Sequence, residues 1–284
     1  PDTQESRSLA RLLTLSAHVH AHDNQYAEVL KDVSAVFAVR DSLRGEPLII
    51  SQLIRMAIHA VGCELTAEML PLCEWTDEEL ATVQLTLSRA DFRAEMLRAI
   101  HGERAICLHT LDTTVGFVLR VTNKSKALEW FGDATEGLGS SWQEATRQCE
   151  NLDKQMKANS GSVISRLQYM SATLLAPGLL QAVNAGTRAE ARQNCLIATI
   201  AVQRYRLRHG KLPTSLTDLK EFIPGDEATT NQRLTDPFDD QPLRFKSDSG
   251  NVVIYSISEN RLDDGGVISN DNPQEGDLGY SIQH

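Results

Sequence analysis

The stretch Cys195-Leu196-Ile197-Ala198-Thr199-Ile200-Ala201-Val202 is apolar all round when wound as a helix, so any fold that contains it must cover it on every side. It lies within a helical pattern from Thr187 to about His209, which Gly210 stops. Such a helix has to be central, and the rest of the chain has to be able to wrap it. With 284 residues, 41% hydrophobic and 23% charged, the chain is too apolar to be disordered and can build a sizeable core. The 5% aromatic content favours Leu/Ala/Arg-rich helices over an all-β sandwich.

The N-terminal half supplies candidate partners. Leu9, Leu12, Leu13 and Ala17 follow helical spacing up to a polar turn at His22-Asp23-Asn24, and Val29, Val33, Val36 and Phe37 carry a second helix to about Leu43. With Tyr26 at the junction, this pair is similar to the inner turn of a tetratricopeptide hairpin. Pro47 is expected in the first turn of a third helix running to about Leu70. Thr76-Asp77-Glu78-Glu79 reads as a capping box. Leu80, Val83, Leu87, Ala90, Ala94 and Leu97 then predict one long helix lying along another, within an array that continues to about His109.

Between Thr110 and Gly139 the pattern fades. Val115–Val121 is compatible with either strand or helix, and Gly132, Gly137 and Gly139 predict a loop. Helices are expected over Ser140–Ala158, with Trp142, Cys149 and Met156 on one face, and over Ser162–Leu175, with Pro177-Gly178 bending or breaking the chain.

From Pro213 onward the composition changes. This tail holds 14 acidic against 5 basic residues, so nearly all of the net charge of −10 lies in it. Its turn formers predict a short helix capped by Thr214 or Ser215, then a hairpin of Pro242–Lys246 and Asn251–Ile257 around Asp248-Ser249-Gly250. The stretch Glu259–Asp277 is too polar to pack on itself, so it is either a loose tail or is ordered by something else.

An acidic pI of about 5.3 excludes a nucleic-acid binder held by phosphate neutralisation. The five cysteines are odd in number and widely spaced, with no C-x-x-C pair, and read as buried thiols rather than as a disulfide or zinc framework. No apolar run is long enough to span a bilayer. The chain begins at Pro1, and the expectation is that a signal or anchor preceded it.

Hard oxygen donors Asp263, Asp264, Asn270, Asp271, Glu275 and Asp277 around Gly265 and Gly266 are of the kind that suits Ca²⁺, although the ligand spacing of an EF-hand is absent. His18 and His22 share a helical face, with Asp23 beside them, but structural roles are the expectation for all three histidines His18, His20 and His22. Arg40, Arg44, Arg55, Arg89, Arg93 and Arg98 lie on helices that also carry Asp and Glu, and surface or inter-helix pairs are the expectation for them, with a bound anion as the alternative. The standard hydrolase, phosphate-loop, dinucleotide and zincin motifs are missing. Cys107 with His109, and Glu78 with Glu79, stay open as groups for a pocket to bring together.

The ordered set Tyr205…Gly210-Lys211-Leu212-Pro213, Asp236-Pro237-Phe238, Pro242-Leu243-Arg244-Phe245, Tyr255-Ser256 and Asp263-Asp264-Gly265-Gly266 resembles the periplasmic module of the major pseudopilin of type II secretion. The resemblance covers roughly the last third of the chain. It implies a helix followed by a β-hairpin and an acidic loop that binds calcium, with Asp264 and Asp277 the best-matching ligands and Asp263 and Asp271 next. A helical array occupies the place of the pseudopilin's apolar assembly helix, so a filament subunit is not implied. Arg44–Leu53 and Ala90–Ala105 are similar to an uncharacterised bacterial family that joins such an array to this tail behind an N-terminal membrane anchor.

The sequence therefore predicts a mostly α fold of stacked antiparallel helical hairpins with a small C-terminal α+β, pseudopilin-like module. Residues 1–186 would form the array, and 187–284 the long helix plus the module. The expected function is a non-enzymatic, envelope-associated binding or scaffold protein with a protein partner. Its membrane attachment would come only through the missing anchor, and Ca²⁺ held by Asp263, Asp264, Asp271 and Asp277 would stabilise the module. The alternative is a hydrolase with a His/Glu/Cys site buried in the helical body.

Overall fold

Apolar periodicity of 3.6 dominates the chain, and in the computed structural model, which describes residues 3–114, 117–159, 170–248, 250–272 and 274–283, helix dominates accordingly. Nine α-helices are present among the described residues, with one small antiparallel sheet near the C-terminus. The elements are α1 (Thr3–His22), α2 (Tyr26–Ser42), α3 (Ile49–Leu72), α4 (Asp77–Ser88), α5 (Phe92–Thr114), α6 (Phe117–Ser140), α7 (Trp142–Asn159) and α8 (Met170–His209). A 3₁₀ turn (Leu216–Phe222), α9 (Glu227–Arg233), β1 (Arg244–Asp248), β2 (Asn251–Ser256) and β3 (Leu278–Gln283) follow. The chain divides into two compact units: Pro1–Leu43, Ile54–Asp91 and Arg188–His284 form the first, and Arg44–Leu53 with Phe92–Thr187 the second.

In the first unit the apolar run of α8 is central. Cys195, Leu196, Ile197, Ala198, Ile200, Ala201 and Val202 are all buried, in one cluster with Val36 and Phe37 of α2, Leu80 and Leu87 of α4, and Val252, Ile254, Leu278 and Tyr280 of the sheet. A helix covered on all sides meets polar neighbours as well, and these read its backbone: Gln84 of α4 donates Nε2 to the Ile197 carbonyl at 2.8 Å. Beyond the buried run, Arg204 donates to Asp77 at 2.6 Å, to the Gln84 amide oxygen at 2.8 Å and to the Phe222 carbonyl at 3.1 Å, while Arg208 reaches the same Asp77 carboxylate at 2.7 Å. The sheet has the order β1-β2-β3, both pairs antiparallel, with Arg244 opposite Tyr255 and Tyr255 opposite Gly279.

The second unit packs Trp130, Phe131 and Leu138 of α6 with Trp142, Ala145 and Cys149 of α7 as buried residues. At Gly137 a Cβ would lie 2.8 Å from the Ala145 Cα, so α6 and α7 approach at backbone distance there. That is why glycine is required inside this helix.

Several expectations hold and several are corrected. The capping box forms: the Thr76 hydroxyl accepts from Glu79 N–H at 3.2 Å and the Glu79 carboxylate accepts from Thr76 N–H at 2.9 Å. Gly210 ends α8 at φ +68, and β1–β2 is the expected hairpin, although Ser249 lies outside the described residues. Pro47 precedes α3 instead of standing in its first turn. The long seam from Leu80 to Leu97 is two helices, parted at 89–91, with Asp91 immediately before the first helical residue of α5, a position that favours aspartate. Gly132, Gly137 and Gly139 stand within α6 and form no loop; at Gly137 packing against α7 outweighs the roughly 1 kcal/mol helix cost of a glycine. Pro177-Gly178 lies within α8 with no break in the helix; Ser162 and the onset expected there lie outside the described residues. The strand β3 and helix α9 were not foreseen.

Two guanidinium groups hold the Asp77 carboxyl below the usual carboxylate range, the hydrogen bond from Arg204 first and that from Arg208 after it. A depressed folded pKa gives stability that is present above the unfolded value and lost as pH falls through the folded one. Asp77→Asn is therefore expected to cost about 1–2 kcal/mol at neutral pH and to flatten the loss of stability below about pH 4, as measured by urea unfolding across an acid pH series.

Candidate functional site

The loop between β2 and β3 starts where β2 is pinned. Ser256 Oγ and Ile257 N–H both donate to the buried Asp236 carboxylate, at 2.8 and 3.0 Å. The chain then passes through Ser258 and Arg261 with positive φ, and Gly265 and Gly266 at φ +71 and +83; at the last two positions side chains would be strained. This path folds the acidic segment over Asp277. The Asp277 side chain is fully buried and accepts from Gly266 N–H at 2.8 Å and Asp264 N–H at 3.4 Å, while its own N–H and carbonyl bond Val267 and Ser269. Asp263 accepts from Gly265 N–H at 2.9 Å and from the Tyr255 hydroxyl at 3.1 Å. Asp264 accepts from the Asn260 amide at 2.9 Å.

Burial raises the Asp277 carboxyl above its ordinary range, and the Asp263 and Asp264 charges add to the rise against the two backbone donors. Burial, and then the bond to Asp263, pushes the Tyr255 phenol up to about 12, so it remains a donor. Asp263, Asp264 and Asp277 thus share one electrostatic neighbourhood. Asp271 acts elsewhere: its charge is felt at Glu64 and Arg192. Arg192 of α8 donates to Glu64 of α3 at 2.7 Å and to the Asn270 carbonyl at 2.8 Å, and the Tyr280 hydroxyl reaches Glu64 at 3.4 Å. The Asn270 side chain is committed to Gly279, and Glu275 is exposed.

The donors match Ca²⁺ in kind, being carboxylate oxygens beside a glycine-bent backbone. Each of the three carboxylates already spends an oxygen on a donor of the loop, and Lys246 donates its ammonium to the Gly265 carbonyl at 3.0 Å. A metal would therefore compete with a resident cation. Among the described residues no group of three or more His, Cys, Asp or Glu side chains is arranged to hold a metal ion.

The histidines of α1 separate onto three carboxylates: His18 on Glu68 at 3.1 Å, His20 on Asp32 at 2.8 Å and His22 on Asp23 at 3.1 Å. Arg44 pairs with Glu95, Arg93 donates to the Ser140 carbonyl, and Glu79 is used by its cap. Cys107 is half-buried and His109 exposed.

Sequence reasoning missed the most polar part of the helical body. Arg40, Arg55, His59 and Cys63 are all fully buried. Arg40 forks onto Asp41 at 2.8 and 2.9 Å and bonds the Thr86 carbonyl at 3.0 Å. Its Nη1 lies 3.2 Å from His59 Nδ1, and His59 Nε2 lies 3.3 Å from the Cys63 sulfur. A guanidinium can only donate, so Nδ1 accepts and Nε2 carries the proton toward the thiol. Burial holds the imidazole pKa well below its ordinary value, with the charges of Arg40, Arg192, Arg55 and Arg233 adding to it. Burial likewise pushes the Cys63 thiol up to about 12. A cysteine and a histidine in contact resemble a catalytic dyad, but a neutral, donating imidazole beside a sealed thiol cannot generate a thiolate. The signal was the i, i+4 spacing of His59 and Cys63, which places both on one helical face.

Alkylation at mildly basic pH is expected to modify Cys107 first and to leave Cys63, Cys149 and Cys195 unmodified until the chain is unfolded, as read by peptide mass spectrometry. No protein-family model, curated protein or solved structure matches this chain.

Proposed function

We propose that this chain is a non-enzymatic binding or scaffold protein whose C-terminal module is stabilised by calcium. The observation that carries the reading is the Asp277 loop, where a carboxylate raised by burial has two further carboxylates adding to the rise on a glycine-bent segment. A divalent ion at that point would offset their repulsion and hold Gly265 and Gly266 in place. Asp263, Asp264 and Asp277 are the residues that would hold it; Asp271 would act from its place beside Arg192. A place in the cell envelope is supported by the resemblance of the tail to a secretion pseudopilin.

The competing reading was a hydrolase working from the helical body. The Cys63–His59 contact would be its natural centre, and its burial and protonation state speak against it.

Thermal unfolding with calcium, magnesium or EDTA tests the proposal. Calcium at about a hundred times its dissociation constant should stabilise by about 2.7 kcal/mol. Asp264→Ala should abolish the shift, and Lys246→Met, which removes the resident ammonium, should increase it. An unfolding midpoint that is the same in calcium and EDTA for both the native chain and Lys246→Met would overturn the calcium reading.

A further inference from the structure

Strand β3 is an edge of the sheet, and it is left open in a way that β1 is not. β1 carries Arg244, Lys246 and Asp248, the charges with which natural edges resist pairing, whereas Leu278-Gly279-Tyr280-Ser281-Ile282-Gln283 carries none. The direction of its backbone groups follows from one side chain. The Asn270 carboxamide donates to the Gly279 carbonyl at 3.1 Å and accepts from Gly279 N–H at 3.0 Å, as a neighbouring strand would. Gly279 therefore points its backbone away from β2. Because the alternation has a period of two, Ser281 and Gln283 point the same way. Among the described residues, neither has a backbone partner on that side.

Those two residues line a cleft of ≈ 370 Å³ together with Leu70, Pro71 and Cys73 at the end of α3, Gln203 and Arg206 of α8, and Ile282. The open stretch from Ser281 to Gln283 spans about 7 Å. A cleft of this size takes a few extended residues, not the edge of another sheet. Asn270 closes the Gly279 end. Arg206 lies in the last turn of α8, and among the described residues no carboxylate or carbonyl is hydrogen-bonded to its guanidinium. A guanidinium beside an open strand edge selects an acidic residue on whatever strand is added.

We infer that the cleft between β3 and α8 is a strand-addition site for an extended acidic peptide, with backbone bonds to Ser281 and Gln283 and a carboxylate side chain on Arg206. The inference rests on the binding-protein reading in taking the chain as a binder, and it does not depend on calcium.

The probe is a short peptide of alternating threonine and valine with one central glutamate, compared with its glutamine counterpart. Hydrogen exchange resolved by NMR should show the Ser281 and Gln283 amides protected by the glutamate peptide. The glutamine peptide should bind about tenfold more weakly, and Arg206→Gln should erase that difference. Ser281→Pro should fold, because proline is tolerated where a strand N–H faces outward, and should lose binding. Absence of protection at both amides, or equal affinity for the two peptides, overturns the site. Failure of Ser281→Pro to fold also overturns it, since that N–H would then belong to the β2 ladder. Protection of both amides without peptide, in a chain that sediments as a dimer, replaces the peptide with a second copy. Cleavage of a bound peptide, detected by mass, would refute the non-enzymatic reading and leave the site standing; loss of binding alone would refute the site and leave the calcium reading standing.

Discussion

The module at the end of the chain depends on the carboxylate of Asp236. It has no solvent exposure, and burial raises its pKa, so its presence has to be offset by donors. Four meet it: Phe238 N–H at 2.9 Å, Ser256 Oγ at 2.8 Å, Ile257 N–H at 3.0 Å and Arg244 Nη1 at 2.8 Å. Those donors come from the Asp-Pro-Phe turn, from both strands of the hairpin and from the start of the acidic loop. One side chain therefore fixes where β2 ends and where the loop sets out, which in turn places Asp263, Asp264 and Asp277 around one another. Removing it would leave Phe238 N–H, Ser256 Oγ and Ile257 N–H without their acceptor and Arg244 held by Asp239 alone, and each buried donor left unpaired costs about 1–3 kcal/mol.

The helical body follows the same logic with different chemistry. A helix that is apolar all round cannot be registered by hydrophobic contact alone, because contacts of that kind are non-directional. Directional groups supply the register: Gln84 on the Ile197 carbonyl, Arg204 on Asp77 and Arg192 on Glu64. The buried Arg40, His59 and Cys63 row does this between α2, α3 and α4, and its protonation state is a by-product of its burial. Groups that in an open cleft would suggest catalysis are here the means by which helices are held in one alignment.

Much of this was legible in the sequence, and the gaps have physical causes. The interior of α8, the Thr76 capping box, the α1–α2 turn and the β1–β2 hairpin are local signals, written within a few residues of where they act. The acidic loop was recognisable by composition, and three of its four expected ligands lie together. The neighbour of Asp271, Asn270, is held through its carbonyl by Arg192, a link from 78 residues earlier that no local signal carries. Strand β3 alternates as a strand should, yet six residues behind a polar loop are ambiguous until β2 offers them an edge. The glycines of α6 read as a loop because the one with a packing role, Gly137, owes it to a close approach of α7 at Ala145, which is a tertiary fact. Arg40, His59 and Cys63 were invisible as a group because Arg40 and His59 on apolar helices look like surface, and Cys63 like any buried thiol, until the neighbouring helix is known.

The division of the chain has a consequence for how the protein is made. Every residue of the second unit precedes Arg188, whereas the first unit draws on both ends of the chain and includes β3. On the ribosome, the second unit can close while α1 to α4 have only each other for cover, because the buried run of α8 and the sheet have not emerged. Links such as Glu64 to Tyr280 and Asp77 to Arg204 close loops of well over a hundred residues, and contacts of that separation form slowly. The apolar faces of the first two hairpins must therefore stay soluble through most of synthesis. The polar and charged residues threaded through α2 and α3, buried in the finished core, reduce the contiguous apolar surface those helices would expose meanwhile.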